Sequence, residues 1–456
     1  MKLPLASSLL MATLLTACQS AEKTDTTKAA FRLITLDPGH FHAALVQKTM
    51  YPDVDSVVHV YAPDGPDLQL HLDKIEGYNT RPENPTHWKE VVYKGPDFLD
   101  KMIAEKAGNV VVMAGNNRLK TDYILKTVGA GFNVLADKPM VIDASKFDEL
   151  KEAFATAEKN NVLLYDIMTE RYEITTMLQR AFSQQPALFG TLEKGTLENP
   201  AVTKESVHHF YKNVSGSILT RPAWFMDVAQ QGEGIVDVTT HLVDLVQWAC
   251  FPEQVIDYQK DISLTAARRW TTDMTLSQFK AITKQDAFPD YLKKDVVKDS
   301  VLKVYSNGEI NYQLRGVHAK VSVTWAYKAP EGAGDTHYSI MRGTKANLII
   351  RQGAEQQYKP ALYVEAANGS KDLEASLKAV LPKIQQEFPG VDSKKNAAGW
   401  EIVIPDKYKE GHEAHFGRVT EKYLEYLKAG KLPAWEVPNM IAKYYTTTQA
   451  LEKAKK

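Results

Sequence analysis

The chain reads as α/β in its first part, a doubly wound parallel sheet, followed by an α+β part built on an open, mainly antiparallel sheet. Three observations carry that reading. Between Phe31 and Val162, short apolar runs alternate with amphipathic stretches, the pattern of strands threaded through helices. Beyond residue 300, the runs alternate apolar with polar residues and are bounded by Gly or Asn, as half-exposed antiparallel strands are. A length of 456 residues exceeds what one core accommodates, so two domains are expected.

The N-terminus reads as an address. Lys2 precedes an apolar run that ends in Leu15-Thr16-Ala17-Cys18, which is too short to span a bilayer and has the small residues of a cleavage site. A Cys directly after Leu-Thr-Ala resembles a bacterial lipobox. Residues 1–18 are therefore expected to be a lipoprotein signal with Cys18 lipidated, and residues 19–30 a polar tether. The protein would then be exported and held on a membrane, in the periplasm or at the cell surface. Cys250 is the other of two cysteines, so a lipidated chain has no internal disulfide available.

The first domain, 31–165, follows. Phe31–Leu36, Val57–Tyr61, Glu90–Tyr93, Asn109–Met113, Phe132–Leu135 and Val162–Tyr165 read as strands, with helices in Ala43–Lys48, Asp97–Lys106, Thr121–Val128 and Asp143–Lys159. Ligands of such sheets sit at the carboxyl ends of the strands, here Asp37, Asp64, Asn116, Asn117 and Lys138. The second domain, 166–456, has strands in Lys303–Tyr305, Ile310–Leu314, Val317–Tyr327, Tyr338–Met341 and Ala346–Ile350, and closing helices in Gly411–Leu427 and Pro438–Lys455. Residues 355–408 match no recognised pattern. A formal net charge of -1 and the lack of a basic cluster exclude an electrostatic case for nucleic acid.

Two motifs carry chemistry. Asp137-Lys138-Pro139 follows an apolar strand, and Asp237 and His241 lie in Gly234–Trp248, a stretch apolar almost all round that reads as a buried helix. Asp237, His241 and Asp244 fall at i, i+4 and i+7, one face, where a carboxylate one turn from an imidazole forms a general acid/base pair. In this order the two motifs resemble the Gfo/Idh/MocA oxidoreductases, whose signature is Glu-Lys-Pro after the fifth strand and Asp-x-x-x-His on a helix of the second domain. The resemblance runs from about Phe31 to Pro252 and implies a Rossmann domain holding NAD, with NADP less favoured, and an enzyme oxidising a secondary hydroxyl of a sugar or glycoside. It implies His241 as proton acceptor, Lys138 as donor to the developing alkoxide and Asp237 as the group that orients His241 or the substrate. Arg171-Tyr172 resembles the pair by which relatives enter their substrate domain. His209 and Trp224, ahead of the key stretch, are candidates for contacting the sugar. The antiparallel sheet resembles the face by which the family forms dimers or tetramers.

The chain departs from the family at its first loop. Asp37-Pro38-Gly39-His40-Phe41-His42 stands where Gly-x-Gly-x-x-Gly is expected, keeping only the middle glycine for close approach of a pyrophosphate. The expected cofactor contacts are Asp37, Gly39, His40, His42, Asp64 at the ribose, Asn116, Asn117, Asp137 and Lys138. An exported enzyme meets no free NAD pool, so the cofactor is expected to stay tightly bound. A redox-assisted glycosidase needs the same residues, and a catalytically inactive glycan-binding protein is the reading from a different class. The pairs His40-x-His42, His208-His209 and His412-x-x-His415 bring no third ligand at a diagnostic spacing, and no metal is expected.

Overall fold

A computed structural model describes residues 30–214, 217–298, 300–367 and 372–456; Cys18 and the tether up to residue 29 lie outside them. Six short strands form one fully parallel sheet: β1 (Leu33–Leu36), β2 (Val57–Ala62), β3 (Lys89–Lys94), β4 (Val110–Met113), β5 (Asn133–Asp137) and β6 (Leu164–Ile167), in the spatial order β3-β2-β1-β4-β5-β6. The order reverses between β1 and β4, the point where such sheets open a ligand crevice. β1, β4 and β6 are buried along their whole length, which is why they read as unbroken apolar runs.

The second sheet has ten strands. Val202–Tyr211 lies near its centre, parallel to Val317–Lys328 and antiparallel to Thr336–Arg342. Ile262–Thr275 forms one edge beside Val301–Leu314. The far edge is built from residues 355–408: Ala361–Ala366 continues the sheet and pairs with Gly399–Val403, which pairs with Asp392–Lys395. Two strands, Val202–Tyr211 and Ile262–Thr275, fall in stretches where the sequence reading placed none, and His208 and His209 therefore lie on a strand, not in a loop.

The key helix is shorter than its sequence implies, running Thr239–Cys250. Gly234 is pinned against the second sheet: its amide donates to Tyr305 O, and a Cβ there would stand 1.8 Å from Ser306 O. Residues 234–238 form turns instead, and Asp237 sits just ahead of the helix. Leu242, Val243 and Val246 pack into the core under the second sheet.

The two domains do not divide at residue 166 alone. The last two helices, His412–Ala429 and Glu436–Lys455, return to the first domain and place Phe416, Val419, Tyr423, Leu424, Met440 and Tyr444 in its core. Tyr423 OH donates to Val134 O and Leu163 O, bridging β5 and the start of β6. Among the described residues, no helix is long and apolar enough to cross a membrane.

Candidate active site

Lys138 and Asp237, 99 residues apart, meet in a buried pair: Nζ donates to Oδ1 at 2.5 Å. β5 delivers Lys138 from the parallel sheet, and the turn before Thr239 delivers Asp237 from the second domain. Both line a cavity of about 1580 Å3, and so does His241. Burial, then the nearby Lys138 charge, pushes His241 down to about 3, so its imidazole is neutral at physiological pH. Asp237 does not bond His241, however. Its carboxylate turns to the ammonium, and His241 Nδ1 is buried with no hydrogen-bond partner among the described residues. Asp237 thus positions Lys138, a correction to the i, i+4 pairing expected on one helix face.

Asp244 leaves the site altogether. With Glu436 it grips Arg171: two bonds of 2.7 Å to Asp244 and one of 2.9 Å to Glu436. Arg171 has its guanidinium spent on these buried carboxylates, and Tyr172 packs on the first domain's core; neither lines the cavity. Glu170 does, and its carboxyl, which burial alone would raise, is held well below the usual range by its bond to His412. His209 lines the cavity as expected, held with His208 and Lys212 on Asp335 at 3.1, 3.1 and 2.8 Å.

The first loop closes on itself. Gly39 N bonds Asp37 O, His40 N bonds Ala114 O and Ala43 N bonds His40 O, so those amides are not free for a phosphate. A Cβ on Gly39 would meet Trp224 Cζ2 at 3.0 Å and Asp67 Oδ2 at 3.2 Å. Trp224 Nε1 donates to Asp67 at 2.6 Å, which makes it a lid on Gly39 and not a wall of the sugar cavity. Asn116 bonds Gln230, and Asn117 bonds the backbone of Gln230 and Gln231 and the Lys120 ammonium; both stitch the domains together. Asp64, with 77% of its side chain exposed, pairs with Lys94 at 3.3 Å and stands away from this loop.

Next to Gly39 lies a second pocket of about 270 Å3, where Arg221 and Lys74 join His40 and Asp67. Arg221, His40, Phe41 and Phe225 line both spaces. The two together can take a dinucleotide: Lys74 and the remaining Arg221 nitrogen, Nη1, would hold its phosphates by side-chain charge in place of backbone amides, Arg221 Nε and Nη2 being bonded to Phe210 O and His209 O, and Lys138 with His241 would meet its nicotinamide. Arg221 is buried and lowered to about 10 by burial, yet stays cationic at neutral pH. No local signal in the sequence marks Arg221, Lys74, Asp67 or Glu170, since each takes its place through contacts made across the fold.

Residues 40–166 match the oxidoreductase family with an NAD-binding Rossmann fold, and residues 178–455 match the family described as "Putative oxidoreductase C terminal domain". The chain belongs to the Gfo/Idh/MocA oxidoreductases. A "putative oxidoreductase from Parabacteroides merdae ATCC 43184" is 60% identical over 94% of this chain and 98% of that one, with a TM-score of 0.91. A levoglucosan dehydrogenase in complex with NADH and levoglucosan shares the fold at 13% identity and a TM-score of 0.58, over 93% of this chain and 97% of that one. GenD2 from gentamicin A biosynthesis, in complex with NAD, does so at 15% and 0.54, over 93% and 94%. No curated protein matches the chain. The first domain of this Gfo/Idh/MocA protein is thus of the NAD-binding kind, and its phosphate loop is a variant within that fold.

Proposed function

We propose that this protein oxidises a secondary hydroxyl, such as that on carbon 3, of a sugar or glycoside with a tightly held NAD, in the cell envelope. The observation that carries this is the convergence of Lys138, Asp237 and His241, from two domains, on one cavity. Its volume of about 1580 Å3 exceeds the roughly 300–1,000 Å3 of an ordinary small-ligand pocket, which leaves room for a glycoside beyond the nicotinamide. The levoglucosan dehydrogenase of the same fold supports sugars as the substrate class.

NAD, when bound, supplies the hydride acceptor. The chain's own groups handle the proton and the charge. His241, neutral in its buried position, takes the hydroxyl proton. Lys138 donates to the oxygen that gains negative charge, and Asp237 holds the ammonium on target. A redox-assisted glycosidase would use the same groups, and product analysis on an aryl glycoside separates it from a dehydrogenase.

One experiment tests the reading. Protein denatured after purification should release NAD(H), identified by mass spectrometry, and His241→Ala should still release it while losing single-turnover reduction of bound NAD by roughly 10²–10⁴-fold. The closed Gly39 loop favours the rival reading, a glycan-binding protein without catalysis; finding no dinucleotide, and no uptake of added NAD or NADP, would overturn the dehydrogenase reading in favour of that rival. The envelope location rests on Cys18, and Cys18→Ser should move the protein from membranes to the soluble envelope fraction; a variant still on membranes would refute the lipid anchor. Assembly into a dimer or tetramer through the open sheet belongs to the same proposal.

A further inference from the structure

His40, His42 and Asp137 converge although β4 separates the strands that carry them. β1 ends at Leu36, and the loop that begins with Asp37 swings both imidazoles over the end of β5, where Asp137 precedes Lys138. Asp137 Oδ2 lies 2.9 Å from His42 Nδ1 and 3.7 Å from His40 Nδ1, and one ligand atom from each residue lies within 4.8 Å of the others. A tetrahedral ion with metal–nitrogen and metal–oxygen bonds of about 2.0–2.2 Å sets its ligands about 3.3–3.6 Å apart, between the two measured separations.

We propose that His40, His42 and Asp137 bind a divalent first-row transition metal of the zinc class, with a coordination position left open towards the large cavity. Two imidazoles and one carboxylate suit such an ion, whereas Mg2+ and Ca2+ prefer oxygen ligands alone. Three protein ligands with an open fourth position is the arrangement of a zinc that handles a substrate.

Independent features support the site. The rings are packed by aromatic residues, His40 against Phe225 and His42 against Phe416, the apolar shell that fixes ligand orientation. The lysines beside Asp137 are engaged: Lys138 is on Asp237, and Lys120 is on Asn117 and the Asp137 carbonyl. Eight of the chain's twelve histidines line the same cavity, yet among the described residues only this group brings three ligand atoms together. His241, with Nδ1 unpartnered, lines the cavity that the open position faces. The ion would hold a substrate oxygen, from a hydroxyl, a vicinal diol or a carboxylate, beside Lys138.

The site shares the cavity of the sugar reading, but its test needs neither sugar nor dinucleotide. Tag-free protein is stripped with chelator, reloaded with Zn2+, desalted and analysed by elemental mass spectrometry. Wild type should retain one Zn2+ per chain, and His42→Ala and Asp137→Asn should bind it at least roughly ten- to a hundredfold more weakly, the cost of losing even an outer-shell partner. Because those variants remove a buried bond, the Co2+-loaded wild-type protein is read as well: visible absorption bands of four-coordinate cobalt support the site. Wild type that retains no zinc overturns the proposal, as does zinc that survives His42→Ala or disappears in His208→Ala/His209→Ala.

Discussion

Asp37 illustrates how one residue can oppose the fold it serves. It follows β1 with φ of 47°, a left-handed turn that Asp and Asn tolerate. Burial, then Asp67, raises its carboxyl from 3.8 to about 6. Between those values the folded protein keeps a proton that the unfolded chain has released. The contribution is therefore fully present below pH 3.8 and lost as pH rises through about 6. Asp37→Asn, which keeps the turn, should melt higher than wild type at pH 7–8, with the gain shrinking to nothing near pH 4; a gain independent of pH would show that the carboxyl is not the cause. At this scale, Lys138, Asp237 and His241 were legible because each sits in a short motif. Their pairing was not: Asp237 turns to a lysine 99 residues away, and no periodicity reports that. Asp137 as a third ligand for His40-x-His42 was hidden for the same reason.

At the scale of elements, a buried charge cluster locks helices to strands where the domains meet. Lys443, with no exposed side-chain surface, lies 2.7 Å from Asp166 at β6 and 2.9 Å from Asp244 on the helix Thr239–Cys250. Lys443→Met should cost about 3–5 kcal/mol, because it strands buried carboxylates; urea unfolding checks this, and a loss below about 1 kcal/mol would show that water or Arg171 replaces the ammonium. Arg171 and Lys443 outweigh burial and hold the Asp244 carboxyl far below its ordinary value, so this stabilisation is present above pH 3.8 and fades on acidification. The parallel strands were legible as apolar runs because both their faces are covered. Val202–Tyr211 and Ile262–Thr275 were not, because Glu205, His208, Arg268 and Arg269 interrupt them, as a half-exposed sheet permits. Residues 355–408 were opaque for want of neighbours: their strands have meaning only as an edge of a sheet begun at Val202.

At the scale of the molecule, the chain closes on itself. Both domains were expected from length and pattern, but the return of the last helices was not, because their amphipathic faces do not say which core they fill. A chain stopped after Lys409 would leave uncovered the apolar seat of Phe416, Tyr423, Leu424 and Tyr444. It should be recovered as aggregate, or bind a hydrophobic dye where the whole chain does not. A truncated protein that melts like the full chain would show the helices to be dispensable.

That closure also sets an order in time. A ribosome releases the first domain's six strands more than two hundred residues before the helices that complete their core, and at roughly 5–20 residues per second the nascent sheet waits tens of seconds with one flank bare. Domains elsewhere fold as they emerge; the core of this one is complete only once the helices His412–Ala429 and Glu436–Lys455 have followed. A chain cut short before these helices carries an apolar flank exposed to solvent, where Phe416, Tyr423, Leu424, Met440 and Tyr444 would have packed.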